Sequence, residues 1–181
     1  MTNVKHPIVF LDVAGVLATA KYHGDIVADT RSPSKYRLDP GCCSRLQRLV
    51  ETTGAHVVIT SSWRRHDEDM LYLLRFLFEH NYNIPIIGSV PASPDGWREG
   101  EISAWLHDNY VAHNCFVVLD DEDTDLASVD DHLVVVDKDV GLTDEDVQDA
   151  TKIIESHRKS LDDVKDLSDA QRLKVFKKLR R

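Results

Sequence analysis

Short runs of apolar residues alternate along the chain with segments whose apolar residues recur every three or four positions. Five of these runs predict strands, because each is short and most are rich in β-branched residues, as strands buried on both faces are. They cover residues 7–11, 57–59, 84–87, 115–119 and 133–136. Strands that alternate with helices favour a parallel sheet with helices on both faces.

Four segments predict helices from the spacing of their apolar residues. They cover residues 41–52, 67–79, 98–108 and 143–157. The last begins with a capping signal, since Thr143 precedes three consecutive acidic residues that suit the first turn of a helix. We therefore predict an α/β fold, a three-layer α/β/α sandwich around a central parallel sheet of five strands, with little or no cap.

Two segments interrupt this alternation. Residues 18–40 are polar and too long for a simple turn, which predicts a flap or short hairpin inserted in a main domain that covers residues 1–160. Residues 161–181 end in a basic amphipathic helix over 168–181, which packs on the main domain or extends from it. Its apolar residues lie on one side: Leu173, Phe176 and Leu179. Two interpretations stay open, because this side either docks on the main domain or binds a partner.

Composition narrows the class of protein. The 181 residues are 42% hydrophobic with a formal net charge of −9, which argues against a surface that coats nucleic acid but leaves a local basic groove open. No apolar run approaches the roughly 20 residues that span a bilayer, and the first residues lack a secretory signal. Cys42, Cys43 and Cys115 show no zinc-binding spacing and predict reduced thiols. We therefore expect a cytoplasmic protein without a membrane partner.

Polar side chains follow three of the predicted strands. They are Asp12 after the first strand, Thr60, Ser61 and Ser62 after the second, and Asp120 and Asp121 after the fourth. Arg98 begins the helix between the third and fourth strands. Because sites in open parallel sheets lie outside the carboxyl ends of the strands, we expect these acids, hydroxyls and one cation to meet in one crevice.

Carboxylates gathered in a crevice repel each other, and their burial is costly. A hard divalent cation resolves both problems, and Mg²⁺ prefers oxygen ligands. Hydroxyls and an arginine beside that ion hold the oxygens of a phosphate. These residues thus predict metal-assisted phosphoryl transfer, with Asp12 available as a nucleophile.

Four stretches resemble the motifs of the haloacid dehalogenase (HAD) superfamily in order and spacing. They are VFLDVAGVL, VVITSSWRR, WREGEISAWL and VVLDDEDTDL, within roughly residues 7–157. More narrowly, SSWR, LDDEDTDL and the later VDKDVGLT resemble the HAD phosphatase domains associated with RNA repair proteins and their bacterial and phage relatives. The resemblance implies a HAD-like fold and a Mg²⁺-dependent phosphomonoesterase that works through an aspartyl-phosphate.

The resemblance also implies roles for single residues. Asp12 is the expected nucleophile and a Mg²⁺ ligand, joined by the backbone carbonyl of Ala14 and the carboxylates of Asp120 and Asp121. Asp125 is a further candidate for this metal site.

The resemblance implies a second group of residues that contact the substrate. Ser61 or Thr60 hydrogen-bonds the phosphoryl group, with Ser61 favoured by the match to SSWR. Arg98 stands where the family usually has lysine and neutralises the phosphoryl oxygens. Ser62 and Arg64 are candidates for substrate binding, and for Arg64 a structural salt bridge is an equal alternative.

Ala14 stands where the resembled family usually has an aspartate that protonates the leaving oxygen and then activates water. Three explanations are open. An otherwise active enzyme carries an aspartate-to-alanine change made to trap a complex, or the chain is a natural pseudo-phosphatase that binds a phosphorylated ligand. In the third, the chain cleaves C–P bonds as phosphonoacetaldehyde hydrolases do, with Lys21 or Lys35 as the Schiff-base lysine.

An open site without a large cap suits a large substrate, and also nucleotides. We expect a phosphorylated small molecule or a nucleic-acid end with a terminal phosphate, and the sequence leaves the oligomeric state open. A non-catalytic protein that binds a phosphorylated ligand or a protein partner is the rival. We interpret Trp63, Trp97 and Trp105 as packing residues, with stacking on a base as the alternative for the first two.

Overall fold

A parallel sheet of five strands lies at the centre of the protein, as the computed structural model describes it over residues 6–24, 37–109 and 115–165. The strands, in chain order, are β1 (Ile8–Leu11), β2 (His56–Ile59), β3 (Ile86–Ser89), β4 (Phe116–Asp120) and β5 (Leu133–Val135). Their order across the sheet is β3-β2-β1-β4-β5. The first strand therefore lies in the middle and has β2 and β4 as its parallel neighbours.

Helices connect the strands and follow the last of them. They are α1 (Ala20–Gly24), α2 (Pro40–Thr53), α3 (Asp67–Glu79), α4 (Arg98–Asn109) and α5 (Asp144–Lys165), with short 3₁₀ helices over Ser62–Arg65 and Ala127–His132. At the start of α2, the Asp39 carboxylate accepts a hydrogen bond from Gly41 N at 2.7 Å. At its end, Gly54 takes a left-handed conformation with φ of 66°, which glycine adopts without steric cost.

Two hydrophobic clusters cover the two faces of the sheet, because successive side chains of a strand point to opposite faces. One cluster joins β1 residues Val9 and Leu11 to apolar residues of α2, α3 and α5. The other joins Ile8 and Phe10 to Ile102 and Trp105 of α4 and to apolar residues around the second 3₁₀ helix. The predicted three-layer α/β fold with a five-stranded parallel sheet is confirmed.

The boundaries of two predicted elements differ from the structure by more than one residue. β3 begins at Ile86 rather than at residue 84, because Pro85 has no N–H for a strand ladder and only its carbonyl is used, accepting from Val57 N at 2.9 Å. α5 continues to Lys165, eight residues past the predicted end.

Parts of the predicted domain organisation lie outside the described residues. Residues 25–36 of the predicted flap and 166–181 of the predicted C-terminal helix are among them, so the size of the cap and the docking of the tail stay predictions. The described part of the flap includes the short helix α1. Among the described helices, none is long and apolar enough to cross a membrane.

Candidate active site

Asp12 follows β1 directly and is buried, with 4% of its surface exposed. Its N–H donates to the carbonyl of Leu119 at 2.9 Å, which ties it to the end of β4. The chain then turns sharply, and the carbonyl of Val13 accepts hydrogen bonds from Leu17 N and Ala18 N at 2.9 Å each. The Asp12 carboxylate is thus fixed at the carboxyl edge of the central strand.

Three carboxylates meet at this edge. Leu11 and Leu119 are partners in register between β1 and β4, so Asp12 and Asp120 follow them side by side. One oxygen each of Asp12, Asp120 and Asp121 lies within 4.8 Å of the others. Burial raises the pKa of all three. For Asp12 the pKa reaches about 6, because burial and the charges of Asp120 and Asp121 together outweigh the attraction of Arg98 and the hydrogen bond from Ser61.

Arg98, the first residue of α4, reaches this cluster. Its Nη1 lies 3.4 Å from Oδ1 of Asp12 and also bonds Oδ2 of Asp120. One quarter of the Arg98 side chain is exposed, whereas both carboxylates are buried. The arginine therefore neutralises the cluster from the solvent side, where an anionic ligand would enter.

Gly15 allows the turn after β1 to approach Asp121. It has φ of 75°, and a Cβ on it would lie 2.5 Å from the Asp121 carboxyl carbon. Glycine is therefore required at position 15 for two reasons: the backbone is left-handed, and a side chain would overlap the Asp121 carboxyl group. Ala14, just before it, is partly exposed and pairs with Ala18 in an isolated bridge.

The hydroxyls after β2 lie next to Asp12. Thr60 N donates to the Leu11 carbonyl at 2.9 Å, and Ser61 makes a side-chain hydrogen bond to Asp12 that lowers its pKa against the larger effect of burial. The Thr60 hydroxyl is fully buried and has no hydrogen-bond partner among the described residues. Ser62 is exposed and starts the 3₁₀ helix.

Arg64 holds this hydroxyl segment to α4. Its Nη1 donates to the carbonyls of Thr60 and Ser61, the latter at 2.8 Å. Its Nη2 pairs with Oε2 of Glu101 at 2.5 Å. Oε1 of Glu101 also accepts from Ser93 N at 2.7 Å. The alternative of a salt bridge for Arg64 is thus observed, and its role in substrate binding stays a prediction.

Glu101 is a residue that sequence reasoning did not single out. It lies three positions after Arg98, so both project from neighbouring turns of α4. A glutamate in an amphipathic helix ordinarily faces solvent. The only sequence signal that could have identified Glu101 as a site residue is its spacing of three positions from Arg98. Its buried ion pair depends on how α4 meets the end of β2, which the local sequence does not specify.

A polar cleft of about 170 Å³ opens beside the carboxylates. It is lined by Gly96, Arg98, Asp120, Glu122, Thr124, Asp125 and Leu126. Asp125 lies in this wall, while the three-carboxylate cluster is formed by Asp12, Asp120 and Asp121. The prediction that Asp125 joins the metal site stays open.

The structure brings together most of the predicted site residues. Asp12, Ser61, Arg98 and Asp120 are joined by hydrogen bonds or ion pairs, and Asp121 lies within the same cluster. The three carboxylates offer only oxygen atoms, a donor set that suits a hard cation such as Mg²⁺. They can therefore hold a metal ion, while the roles of Ser62 and Arg64 toward a substrate stay predictions.

Comparison with known proteins adds one finding. A family model described as the HAD domain in Swiss Army Knife RNA repair proteins matches residues 8–147, a range that contains all five strands and every predicted site residue. No curated protein matches the chain.

Proposed function

The chain belongs to the family of HAD domains found in Swiss Army Knife RNA repair proteins, and from this premise we propose that it is a Mg²⁺-dependent phosphomonoesterase. The family indicates a phosphatase-type hydrolase. The proposed substrate is a nucleotide or the phosphorylated end of a nucleic acid. The proposed intermediate is an aspartyl-phosphate on Asp12.

One observation carries the proposal. A buried carboxylate, Asp12, stands within 4.8 Å of two further carboxylates and 3.4 Å from the guanidinium of Arg98. Three acids with one arginine leave an excess of negative charge in a buried place, which a divalent cation compensates. A carboxylate kept ionised by a cation and aimed at a phosphate is a competent nucleophile.

The proposed reaction has two steps. An oxygen of Asp12 bonds to the phosphorus of the ester while the bond from phosphorus to the alcohol oxygen breaks, and that oxygen takes a proton. Water then attacks the phosphorus, releasing inorganic phosphate and the Asp12 carboxylate. Arg98, Ser61 and Thr60 would hold the phosphoryl oxygens throughout.

The metal ion would be held by Asp12, Asp120 and Asp121, with the backbone carbonyl of Ala14 as a further ligand. When bound, Mg²⁺ neutralises charge on the phosphoryl oxygens and on the crowded acids. The Thr60 hydroxyl, buried without a partner among the described residues, supports the site because a bound phosphoryl oxygen would satisfy it.

Ala14 limits the rate in this account. It carries no group that protonates the leaving oxygen or activates water, so both protons must be exchanged with solvent. General acid–base catalysis is typically worth roughly 10²–10⁴ in rate. The chain is therefore proposed to bind metal and phosphomonoester well and to turn over slowly.

Ala14 also favours one second candidate, a non-catalytic protein that binds a phosphorylated ligand. Both proposals predict binding, and they differ in whether an acid at position 14 yields turnover. C–P cleavage has less support, because Lys21 lines a separate cavity of about 250 Å³ whose lining includes neither Asp12 nor Arg98. Lys35 lies outside the described residues.

Calorimetric titration tests the binding half of the proposal. Mg²⁺ is expected to bind the chain, and a nucleoside monophosphate is expected to bind more tightly once Mg²⁺ is present. The variant Asp120→Asn removes one of the three carboxylates and is expected to weaken Mg²⁺ binding. The control variant Asp108→Asn changes an exposed aspartate and is expected to leave both titrations unchanged. Absence of Mg²⁺ binding by the unaltered chain would contradict the proposal.

A further inference from the structure

Trp97 is half-exposed, yet its ring lies on a defined surface. Half of its area is open to solvent, and neither hydrophobic cluster of the described residues includes it. A Cβ on Gly100 would overlap Cε3 of the indole and lie 2.9 Å from Cζ3 and 3.0 Å from Cδ2. The six-membered ring therefore rests against the backbone of Gly100, in the first turn of α4.

The indole neighbours the candidate phosphate site along the chain, and Trp97 itself is not among the residues that line the polar cleft. Trp97 lies between Gly96 and Arg98, and both of these line the polar cleft beside the carboxylates. Arg98 contacts Asp12 and Asp120 through the same guanidinium nitrogen. Hence a ligand whose phosphate meets Arg98 has the indole as the next side chain along the chain.

The other two tryptophans behave differently. Trp63 is buried beside Tyr72, with ring centroids 6.2 Å apart, and Trp105 packs edge-on against Phe10 in the core. Their burial explains them as packing residues. Trp97 differs from both, because half of its surface is exposed while its ring rests on Gly100, next to a residue that contacts the carboxylates.

We propose that Trp97 is the stacking surface for the base of the substrate, so that the site selects a nucleotide over a phosphorylated sugar. This inference rests on the proposed function and names its substrate class. Stacking accepts every base because each has a π-face, and it is worth about 5- to 150-fold in affinity per base. Thr124 and Asp125, in the cleft wall, offer hydrogen-bond acceptors for the ribose hydroxyls.

The test compares two ligands that share a phosphate and a ribose. Ribose 5-phosphate and adenosine 5′-monophosphate are titrated into the chain with Mg²⁺, using the chain as it is because slow turnover preserves both ligands. The chain is expected to bind the nucleotide about 5- to 150-fold more tightly than ribose 5-phosphate. Trp97→Ala is expected to remove that preference and to leave the affinity for ribose 5-phosphate unchanged.

Three further variants sharpen the result. Trp97→Phe keeps an aromatic surface and is expected to keep most of the preference. Gly100→Ala displaces the indole without removing it and is expected to weaken nucleotide binding only. Phe78→Ala removes another exposed aromatic residue, on α3, and is expected to change neither ligand. Fluorescence quenching by the nucleotide is expected in the unaltered chain and not in Trp97→Phe.

The possible failures are distinguishable. Equal affinity for the two ligands in the unaltered chain, or a preference that survives Trp97→Ala, would overturn the inference and leave the proposed function standing. Binding of neither ligand would overturn the proposed function and this inference with it. A 5′-phosphorylated tetranucleotide, titrated in parallel, separates the two nucleotide sources. If the tetranucleotide binds more tightly than the mononucleotide, the substrate is the end of a strand. If the two bind equally, the substrate is a free nucleotide. In either case Trp97→Ala is expected to weaken the binding of both.

Discussion

Arg64 and Glu101 form an ion pair in the interior, with 2.5 Å between Nη2 and Oε2 and with side chains that are 5% and 2% exposed. Arg64 follows β2 and Glu101 belongs to α4. The same guanidinium also bonds the carbonyls of Thr60 and Ser61. The pair therefore connects the segment that carries the candidate phosphate hydroxyls to the helix that carries Arg98.

Loss of the Glu101 charge is expected to be costly. Glu101→Gln leaves the Arg64 charge buried without its partner, and such a loss typically destabilises a protein by about 3–5 kcal/mol. Urea unfolding measures this. The matched control is Asp149→Asn, which breaks the exposed pair of Asp149 with Lys152 and is expected to cost less than about 1 kcal/mol. Equal effects of the two variants would show that the Arg64–Glu101 pair contributes nothing specific.

Asp12 is expected to destabilise the metal-free protein. Burial raises its pKa to about 6, so above that pH the folded state holds a charge that the unfolded state carries more easily. Asp12→Asn is therefore expected to raise the unfolding free energy in EDTA at pH 7.5, by about 1–3 kcal/mol. The gain is expected to vanish near pH 4, where the carboxyl is protonated in the folded state.

Mg²⁺ is expected to reverse the relative stabilities of the unaltered chain and the Asp12→Asn variant. It is expected to raise the melting temperature of the unaltered chain, because a ligand that binds only the folded state stabilises it. The Asp12→Asn variant, which lacks one of three carboxylates, is expected to gain little. A melting temperature that rises equally in both proteins would remove Asp12 from the metal site.

Gly15 and Gly54 provide a matched pair. Both have a left-handed backbone, with φ of 75° and 66°. A Cβ on Gly54 meets nothing within 4 Å, whereas one on Gly15 meets the carboxyl group of Asp121. Both alanine variants are expected to lose about 1 kcal/mol from backbone strain. Only Gly15→Ala is expected to weaken Mg²⁺ binding as well, measured by calorimetry, and unchanged affinity would contradict the place given to Asp121.

His132 predicts a dependence of stability on pH. Burial lowers its pKa below the ordinary 6.5, against the hydrogen bond of Nδ1 with the Phe116 carbonyl, and nearby His157 lowers it further. The unfolded state then binds the proton more readily, so stability is complete above about pH 6.5 and falls as the pH drops below it. The slope is at most about 1.4 kcal/mol per pH unit.

Because the Asp12 carboxyl titrates near pH 6 with the opposite effect on stability, the comparison is made in the Asp12→Asn background. There, His132→Gln is expected to flatten the slope between pH 5 and pH 6.5, measured by urea unfolding at fixed pH values. Its own destabilisation does not obscure this result, because the slope and not the absolute stability is compared. His107→Gln, at an exposed position, serves as the control with an unchanged slope. A slope that persists in His132→Gln would assign the titration to another group.

The carboxyl edge of the sheet could be predicted because two simple rules meet there. Apolar runs identify the strands, and the residues that come directly after parallel strands lie at one edge of the sheet. Asp12 and Asp120 therefore lie side by side in the structure as they do in the prediction. The rules act over a few residues and need no knowledge of how the helices pack.

The remaining features depend on packing between distant segments. Arg64 and Glu101 are 37 positions apart, and only the docking of α4 against the end of β2 makes them partners. The tryptophans make the same point, since Trp63 is buried and Trp97 is exposed although both lie in polar segments beside an arginine. Whether a side chain is buried depends on the helices and strands that pack against it, and the local sequence does not specify that packing.

The most direct measurement is phosphate release by Ala14→Asp with Mg²⁺, assayed on nucleoside monophosphates and on end-phosphorylated oligonucleotides. The variant introduces a carboxyl group for acid–base catalysis and is expected to exceed the unaltered chain by roughly 10²–10⁴ in turnover. The double variant with Asp12→Asn is expected to release nothing, and EDTA is expected to abolish release. If Ala14→Asp binds Mg²⁺ and these ligands and still releases no phosphate, the phosphomonoesterase proposal is contradicted, and the chain is a binding protein.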